Sequence, residues 1–407
     1  MSNIIAHLDA DSFYVAAERL AHPELQNVPV AVLSSLDAFV IARSYELKPL
    51  GVKVGTSKWD AKKVAPNALF IPADFARYGK VSKQIFEVVR DISPLVEEYS
   101  IDEAFTDLTG LDTYYGMTQD ELGMLIKNRI RKEVGITVSV GIGTTKTIAK
   151  LASDYKKPDG LFVVNDATLI DFLADRAIDD IWGIGGRRGP QLKARGIERA
   201  LDLYNLPMET VIQWMGKNGA DLWLELHGHC ISPISTESAP PKSVSRTANF
   251  ELKTTNPAVV YAALSHHAAK VVALLVDDEL YTKRISIFLR RKDFTFDVAS
   301  EKLSYPTNNH AVIVAAIRRM FIRSFHRNTV YRGTGVITEI DPNGTFDIDL
   351  FVAYESEQRA AELTRTVTAL NRKYGKGTMK YLATMAISRN YRQQETDRLG
   401  VALIQAS

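Results

Sequence analysis

Acidic residues set inside β-prone runs constrain this chain more than any other feature of it. In Glu97-Glu98-Tyr99-Ser100-Ile101-Asp102-Glu103-Ala104-Phe105-Thr106-Asp107-Leu108, a strand-like and largely apolar run is interrupted by the adjacent carboxylates Asp102 and Glu103. Burying both charges beside a core is costly unless something pairs with them, and a bound cation is the simplest partner that keeps them ionised. The N-terminus repeats the pattern, since Ile4-Ile5-Ala6-His7-Leu8 reads as a buried strand ending on Asp9-Ala10-Asp11. Two strands that end in oxygen donors, with no Cys or His cage, suit Mg²⁺, which keeps several waters and shares its coordination with phosphates. The implied chemistry is phosphoryl transfer around two ions about 3.5 to 4 Å apart. Strand-end acids that cap helices or pair with surface lysines are the plainer alternative for each acid taken singly.

At 407 residues, 46% hydrophobic and 24% charged, the chain is too long for one core and suits about three or four domains. Cys230 is the single cysteine, which excludes an internal disulfide framework. No basic region followed by a long apolar run opens the chain, and Val271 to Val276 and Ala311 to Ile317 are too short to span a bilayer. A cytoplasmic setting with no membrane partner is therefore expected. The net charge of +2 conceals a division: residues 1 to 239 hold 26 Lys and Arg against 32 Asp and Glu, or −6, while residues 240 to 335 hold 15 against 7, or +8. A basic module joined to an acidic, metal-binding one points to a polyanionic substrate, nucleic acid before membrane.

Asp11 or Ser12 reads as the N-cap of a helix that carries Phe13 and Tyr14 on its first turn, beside the first acids. Strands are expected at Pro29 to Leu33 and Ala38 to Ala42, then a short helix over Arg43 to Leu50 closed by Gly51. Tyr45 and Lys48, three apart, share a face of that helix; they could hold a triphosphate or simply face solvent. Helical periodicity marks Arg77 to Ile92 and Gln119 to Val134, a buried strand runs Ile136 to Gly143, and Thr144 caps a helix through Tyr155. That helix ends at the turn Lys156-Lys157-Pro158-Asp159-Gly160. The alternation indicates an α/β layer rather than a bundle.

Ile178 to Ile197 reads as a helix, a Gly183-Ile184-Gly185 turn and a second helix bearing Lys193, where backbone N–H groups could take a phosphate; a plain helical hairpin is the alternative. His227-Gly228-His229-Cys230 offers three clustered ligands at most and reads as a helix-end turn rather than a zinc site. Ser232 to Pro241 is Pro- and Ser-rich and reads as a linker, placed where the charge changes sign. Strands at Ser243 to Leu252 (with Arg246), Lys283 to Arg290, Thr295 to Leu303 and Arg332 to Ile340, and helices at Ala258 to Val276 and Ala311 to Phe325, suggest a small sheet with two helices. Alternation places Arg284, Ser286, Phe288 and Arg290 on one face, suited to a phosphate backbone.

These motifs together resemble the Y-family DNA polymerases that copy damaged templates, from Ile4 to about Phe351. Leu8-Asp9-Ala10-Asp11-Ser12-Phe13-Tyr14 is similar to the family's first metal motif, Ser100-Ile101-Asp102-Glu103 to its second, and Lys157-Pro158-Asp159-Gly160 to its triphosphate-side turn. Val40-Ile41-Ala42-Arg43, Leu50-Gly51-Val52-Lys53-Val54-Gly55, Tyr305-Pro306-Thr307-Asn308 and Asn371-Arg372-Lys373-Tyr374-Gly375 resemble the UmuC-type branch. The resemblance implies a mixed α/β right-hand fold: palm at 1 to 11 and 79 to 165, fingers at 12 to 78, thumb at 166 to 232, linker at 233 to 242, little finger at 243 to 352 and a tail at 353 to 407. It implies that Asp9 and Asp102 bridge two Mg²⁺ ions, for which Mn²⁺ can substitute. Glu103 would hold the ion near the primer end, and the Ala10 carbonyl the nucleotide ion. Tyr14 would be a steric gate beside Phe13, with Tyr45, Lys48 and Lys157 on the triphosphate. Gly183, Gly185, Lys193, Arg246, Arg284, Arg290 and Arg332 would meet DNA.

The partners implied are primer-template DNA, a dNTP, a UmuD-like accessory protein and a sliding clamp. Asp347-Ile348-Asp349-Leu350-Phe351 resembles a clamp-binding peptide through Leu350 and Phe351, with Asp347 where the usual Gln stands; an acidic surface strand is the alternative. Two readings from other classes are a noncatalytic DNA- and clamp-binding scaffold, which needs none of the acids, and a nucleotide cyclase, which accounts for neither the Gly-Ile-Gly hairpin nor the basic module.

Overall fold

The computed structural model describes residues 3–34, 38–236, 240–341, 354–375 and 378–379. These fall into two compact units, one ending at residue 236 and one beginning at residue 240 among the described residues. The division coincides with the expected linker and with the change in charge.

In the first unit β1 (Ile5–Ala10) is the centre of a five-stranded sheet with β5 (Val96–Glu98), β6 (Glu103–Asp107), β7 (Val138–Gly143) and β8 (Leu161–Val163), ordered β5-β6-β1-β7-β8. Successive side chains of a strand alternate between faces. Ile4, Ala6, Leu8 and Ala10 therefore face the main core, where α3 (Phe75–Arg90) brings Val81, Ile85 and Val89 and a later helix, Gln119–Glu133, brings Leu122, Ile126 and Ile130. Ile5, His7 and Asp9 take the other face, against a helix at Lys146–Ser153. That helix lies almost on the strand: a Cβ on Gly141 would stand 2.1 Å from the Ser153 nitrogen and 2.2 Å from the Ala149 oxygen. Only glycine permits so close an approach.

A smaller sheet, ordered β3-β2-β4, consists of β2 (Val30–Leu33), β3 (Val40–Arg43) and β4 (Leu69–Pro72). It packs with α1 (Phe13–Ala21) and α2 (Lys58–Val64), and Leu33, Val40, Leu47, Val52, Ala61 and Ala65 form a separate small core. After α4 (Leu111–Tyr115), the Gln119–Glu133 helix is α5 and Lys146–Ser153 is α6. Next come α7 (Leu169–Asp175), α8 (Arg188–Lys193), α9 (Ala200–Tyr204) and α10 (Met208–Leu226), which close a helical core around Phe172, Ile184, Leu192, Leu203 and Leu226.

The second unit is a four-stranded antiparallel sheet ordered β11-β10-β12-β9, built from β9 (Ser243–Thr254), β10 (Thr282–Arg291), β11 (Phe296–Thr307) and β12 (Tyr331–Ile340). One face is covered by α11 (Pro257–Asp277) and α12 (His310–Ser324), with Val260, Leu264, Val271 and Leu275 packed on Ile285, Ile287, Leu289 and Val336. The expected sheet with two helices is therefore observed, and α13 (Tyr354–Tyr374), which periodicity did not mark, packs against both helices.

Several expectations are corrected. The single run from Glu97 to Leu108 is a hairpin, β5 and β6, and Asp102 lies in the bend between them. Arg43 to Leu50 holds one 3₁₀ turn, Tyr45–Leu47, since Arg43 is still paired with Ala31 in the small sheet, and the turn buries Leu47 in the small core. Of the two expected caps of α1, the structure has Ser12, in a left-handed conformation without a side-chain bond, while the Asp11 carboxylate is used elsewhere. The cap of α6 is Thr145, not Thr144. Val271 to Val276 belongs to α11, which at 21 residues and a mean hydropathy of 1.6 is long and apolar enough to cross a membrane; its buried face instead lies on the sheet. His227 ends α10 stacked between Tyr204 at 3.9 Å and Trp223 at 3.6 Å, as a helix-end turn.

Candidate active site

Antiparallel pairing brings the separated acids together. Asp9 of β1 lies opposite Glu103 of β6, and the Ala10 N–H donates to the Asp102 carbonyl at 3.0 Å. Directly opposed residues have Cβ atoms about 4.5 to 5.5 Å apart, so Asp9 and Glu103 share the α6 face of the sheet. Asp102 stands at the end of the same hairpin, its Oδ1 accepting from the Ser100 hydroxyl at 2.6 Å.

Two ammonium groups are already directed at these acids. Lys157 Nζ is 2.7 Å from Asp9 Oδ2, and Lys150 Nζ is 2.6 Å from Glu103 Oε1. Burial nevertheless pushes the Asp9 carboxyl up to about 7, with Lys157 opposing and Glu103 reinforcing the rise. Asp102 is raised too, by burial and then by the charge of Asp9. Burial would depress Lys157, but Asp9 and Asp154 outweigh it and raise that ammonium. Among the described residues no three His, Cys, Asp or Glu side chains close into a cage. The donor set still fits a hard divalent cation: Asp9 and Asp102, whose pKa values burial raises, are relieved by positive charge placed among them, and Glu103 adds a third carboxylate opposite Asp9.

Asp11, read from the sequence as an acid at the end of the first strand and as a candidate helix cap, ties the floor of the site. Its Oδ1 accepts from Ser139 Oγ at 2.8 Å and lies 3.4 Å from the Tyr45 hydroxyl, while its Oδ2 accepts from the Asp159 N–H at 2.8 Å. The Lys156 to Gly160 turn is thereby pinned below β1, which positions Lys157 against Asp9. Lys127 bonds the Asp159 carbonyl from α5, and the Gly160 N–H donates to Ser139 Oγ at 3.2 Å. His7 was another omission; it is fully buried on Ser153 Oγ at 2.7 Å, meets the Phe105 ring at a tilt with centroids 4.6 Å apart and lies 3.5 Å from Lys150 Nζ. Its place within an apolar strand gave no sign of this.

The residues expected at the nucleotide converge. Lys48 Nζ lies 3.6 Å over the Tyr45 ring, and burial, then Arg43 and Lys157, lowers its pKa. Burial and then Asp11 raise that of Tyr45. Tyr14 is half-buried, stacks on Tyr78 at 4.5 Å and meets Phe75 edge-on; burial and then the Asp102 charge raise its hydroxyl. Tyr78 is itself fixed by its hydroxyl bond to the buried Glu18 at 2.7 Å. Phe13 is a core residue.

The DNA candidates are more scattered. Gly183 adopts φ +91 and Gly185 is unobstructed, in the turn before α8, while Lys193 is paired with Asp179. On β10, Arg284, Ser286, Phe288 and Arg290 do share the sheet face not covered by helices, and Arg284 Nε is 3.2 Å from Glu339. Arg246 does not join them: it pairs with buried Val336, so the pleat turns it to the helix side. Arg332 sits at a register shift between Tyr331 and Gly333 and stacks at 4.1 Å on Phe294, which Arg290 also meets at 5.1 Å. Leu350 and Phe351 lie outside the described residues.

With this geometry in hand, comparison with known proteins is direct. The impB/mucB/samB family model matches residues 8–154, the IMS family HHH motif residues 166–197, and the impB/mucB/samB family C-terminal domain residues 241–350. The DNA polymerase IV of Bacteroides fragilis is 31% identical over 292 residues, covering 72% of this chain and 80% of the relative. That of Treponema denticola is 28% identical over 381 residues, 93% and 95% of the two chains, and the SamB protein of Salmonella typhimurium is 28% identical over 403, 92% and 91%. Among solved structures, a Y-family DNA polymerase chimera of Dbh and Dpo4 superposes with a TM-score of 0.71 at 26% identity, over 83% of this chain and 98% of that one. An insertion ternary complex of Dbh DNA polymerase gives a TM-score of 0.59 at 25% identity, over 83% and 98%. Ordered matches along both units mean that this chain belongs to the impB/mucB/samB family and is a Y-family, DNA-directed DNA polymerase of the translesion kind.

Proposed function

We propose that the chain adds deoxynucleotides to a primer 3′ end opposite damaged template by nucleotidyl transfer assisted by two divalent ions, Mg²⁺ or Mn²⁺. The observation that carries this is the cross-strand pair of Asp9 and Glu103 with Asp102 at the same hairpin end, three desolvated acids beside Lys157. Asp9, Asp102, Glu103 and the Ala10 carbonyl would hold the ions, whose chemistry is to activate the primer hydroxyl and neutralise the departing pyrophosphate. Residues 1 to 11 and 79 to 165 serve as palm, 12 to 78 as fingers, 166 to 232 as thumb and 243 to 352 as little finger. α3 begins at Phe75, so the fingers–palm boundary falls within one helix.

Lys157, Tyr45 and Lys48 bind the triphosphate as point charges and a hydrogen-bond donor, and Lys157 moves from Asp9 to a phosphate oxygen when the nucleotide enters. Tyr14, held rigid by Tyr78 and Phe75, closes the space under the sugar and excludes a 2′-hydroxyl. Arg284, Arg290 and Arg332, on the open face of the second sheet, and the turn at Gly183 and Gly185 supply backbone contacts to DNA.

Primer extension with dNTPs and Mg²⁺ tests the reading. Wild-type protein extends a primer; Asp102→Ala does not, by a factor of at least about 10³ if its charge stabilisation matches the usual scale of such groups. Continued synthesis by that variant would remove the assignment.

A further inference from the structure

We propose that the outer surface of the small-sheet region is a stacking platform for the single-stranded template ahead of the templating base, built on Trp59 and Phe39. The proposal rests on the polymerase reading above. Trp59 is 74% exposed and Phe39 52%, whereas most of the described aromatic rings are buried or half-buried. Their exposure follows from the backbone. The Phe39↔Ser57 bridge, the Val40 N–H to Thr56 carbonyl at 2.9 Å, and the Lys58 N–H to Ala38 carbonyl at 2.9 Å lock the two segments side by side. Ser57 then caps α2, which buries Ala61 and Ala65 and so must turn Trp59, Lys62 and Lys63 outward at positions three and four apart. Val54, 64% exposed, extends the apolar surface.

The surrounding charge selects the occupant. Among the described residues of this surface, Lys53, Lys62 and Lys63 accompany the acid Asp60, which takes Lys63 at 2.9 Å. Lys63 Nζ also lies 5.7 Å from the Trp59 ring and Lys62 Nζ 6.0 Å from Phe70. A protein partner for an apolar patch would gain little from a surplus of ammonium groups, whereas a single strand offers both a π-face for the rings and phosphates for the lysines. The placement suits the reaction. Phe39 immediately precedes β3, and Arg43, Tyr45 and Lys48 follow at its other end, about 13 Å away at a strand's rise per residue. The strand thus connects the platform to the nucleotide side of the site, the length of a few nucleotides.

Full-length wild-type, Trp59→Ala and the Phe39→Ala/Trp59→Ala double variant are compared on two primer-templates, one whose template ends at the templating base and one with an eight-nucleotide single-stranded extension. Wild type binds the extended template more tightly. Trp59→Ala loses about fivefold to a hundredfold of affinity on the extended template, the range for removing one base–aromatic stack, and none on the short one. In Lys62→Ala/Lys63→Ala the salt slope on the extended template falls by about 0.7 for each phosphate that is no longer neutralised. Equal affinity of wild type and the double variant for the extended template overturns the platform, as does equal loss on both templates. A change in self-association in place of a change in DNA affinity overturns it in favour of a protein interface. Wild type that extends neither template defeats the polymerase reading instead.

Discussion

Burial lifts the Asp9 carboxyl to about 7 although Lys157 lies 2.7 Å away, so the folded chain holds a proton there that the unfolded chain has lost. An unfolded aspartate titrates near about 3.9, and between roughly pH 4 and 7 the native state therefore binds more protons and stability falls as pH rises. Asp9→Asn should flatten that decline and raise the melting temperature of metal-free protein near pH 7.5 by a few degrees, on the order of 1 kcal/mol, while abolishing primer extension. A melting temperature lower than wild type across this range would contradict it. His7 acts in the opposite sense: burial and then Lys150 hold its pKa well below 6.5, so its contribution is present above pH 6.5 and is lost as pH falls through that lowered value. At the nucleotide, Lys157→Ala should raise KM for dNTP at least about tenfold, since a charge-assisted hydrogen bond to the triphosphate is removed. Tyr14→Ala should admit ribonucleotides; unchanged sugar selectivity in single-nucleotide incorporation would refute the gate. The acids and Tyr14 were legible because charges and a paired aromatic are conspicuous in an apolar run. Ser139, Lys150 and His7 were not, since their contacts with Asp11, Glu103 and Ser153 join residues 128, 47 and 146 apart in the sequence.

At the scale of elements, the approach of α6 to β7 sets the floor of the site, and it depends on Gly141. Gly141→Ala forces backbone against backbone and should cost about 3 kcal/mol or more, read as a lowered urea midpoint. Gly183→Ala meets no neighbour, and its cost comes from positive φ alone, about 1 kcal/mol. α5 carries a full capping box, with Thr118 Oγ1 accepting from the Glu121 N–H and Glu121 returning to the Thr118 N–H. Thr118→Ala should cost about 1 kcal/mol and leave the active site unaltered. Long amphipathic elements such as α3, α5, α11 and α12 were readable because their periodicity follows the core they face. The Tyr45–Leu47 turn and the hairpin bend at Asp102 were not. Both are short, and their shape answers to the Leu47 and Val52 core and to the β1–β6 pairing, which lie elsewhere in the sequence.

Over the whole molecule, charge and architecture divide at the same place. The first unit is acidic, and the second is basic, with its apolar residues sealed under α11 and α12 and Arg284, Arg290 and Arg332 on the face opposite those helices or at its rim. DNA binding should therefore be strongly salt-dependent, and Arg290→Ala and Arg332→Ala should each lower the slope of log K against log salt by about 0.9. Arg246→Ala should change it little, because the pleat turns that side chain toward the helices. An equal effect of all three would refute the assignment of faces. Residue order along the chain was enough to mark the domains, the acids and the basic module, because composition, periodicity and charge are local properties that survive without coordinates. Which strand lies beside which was another matter. Register brought Asp9 opposite Glu103, directed Arg246 away from Arg284, and left Trp59 and Phe39 in solvent, since pairing between distant segments is chosen by the burial of the complete fold.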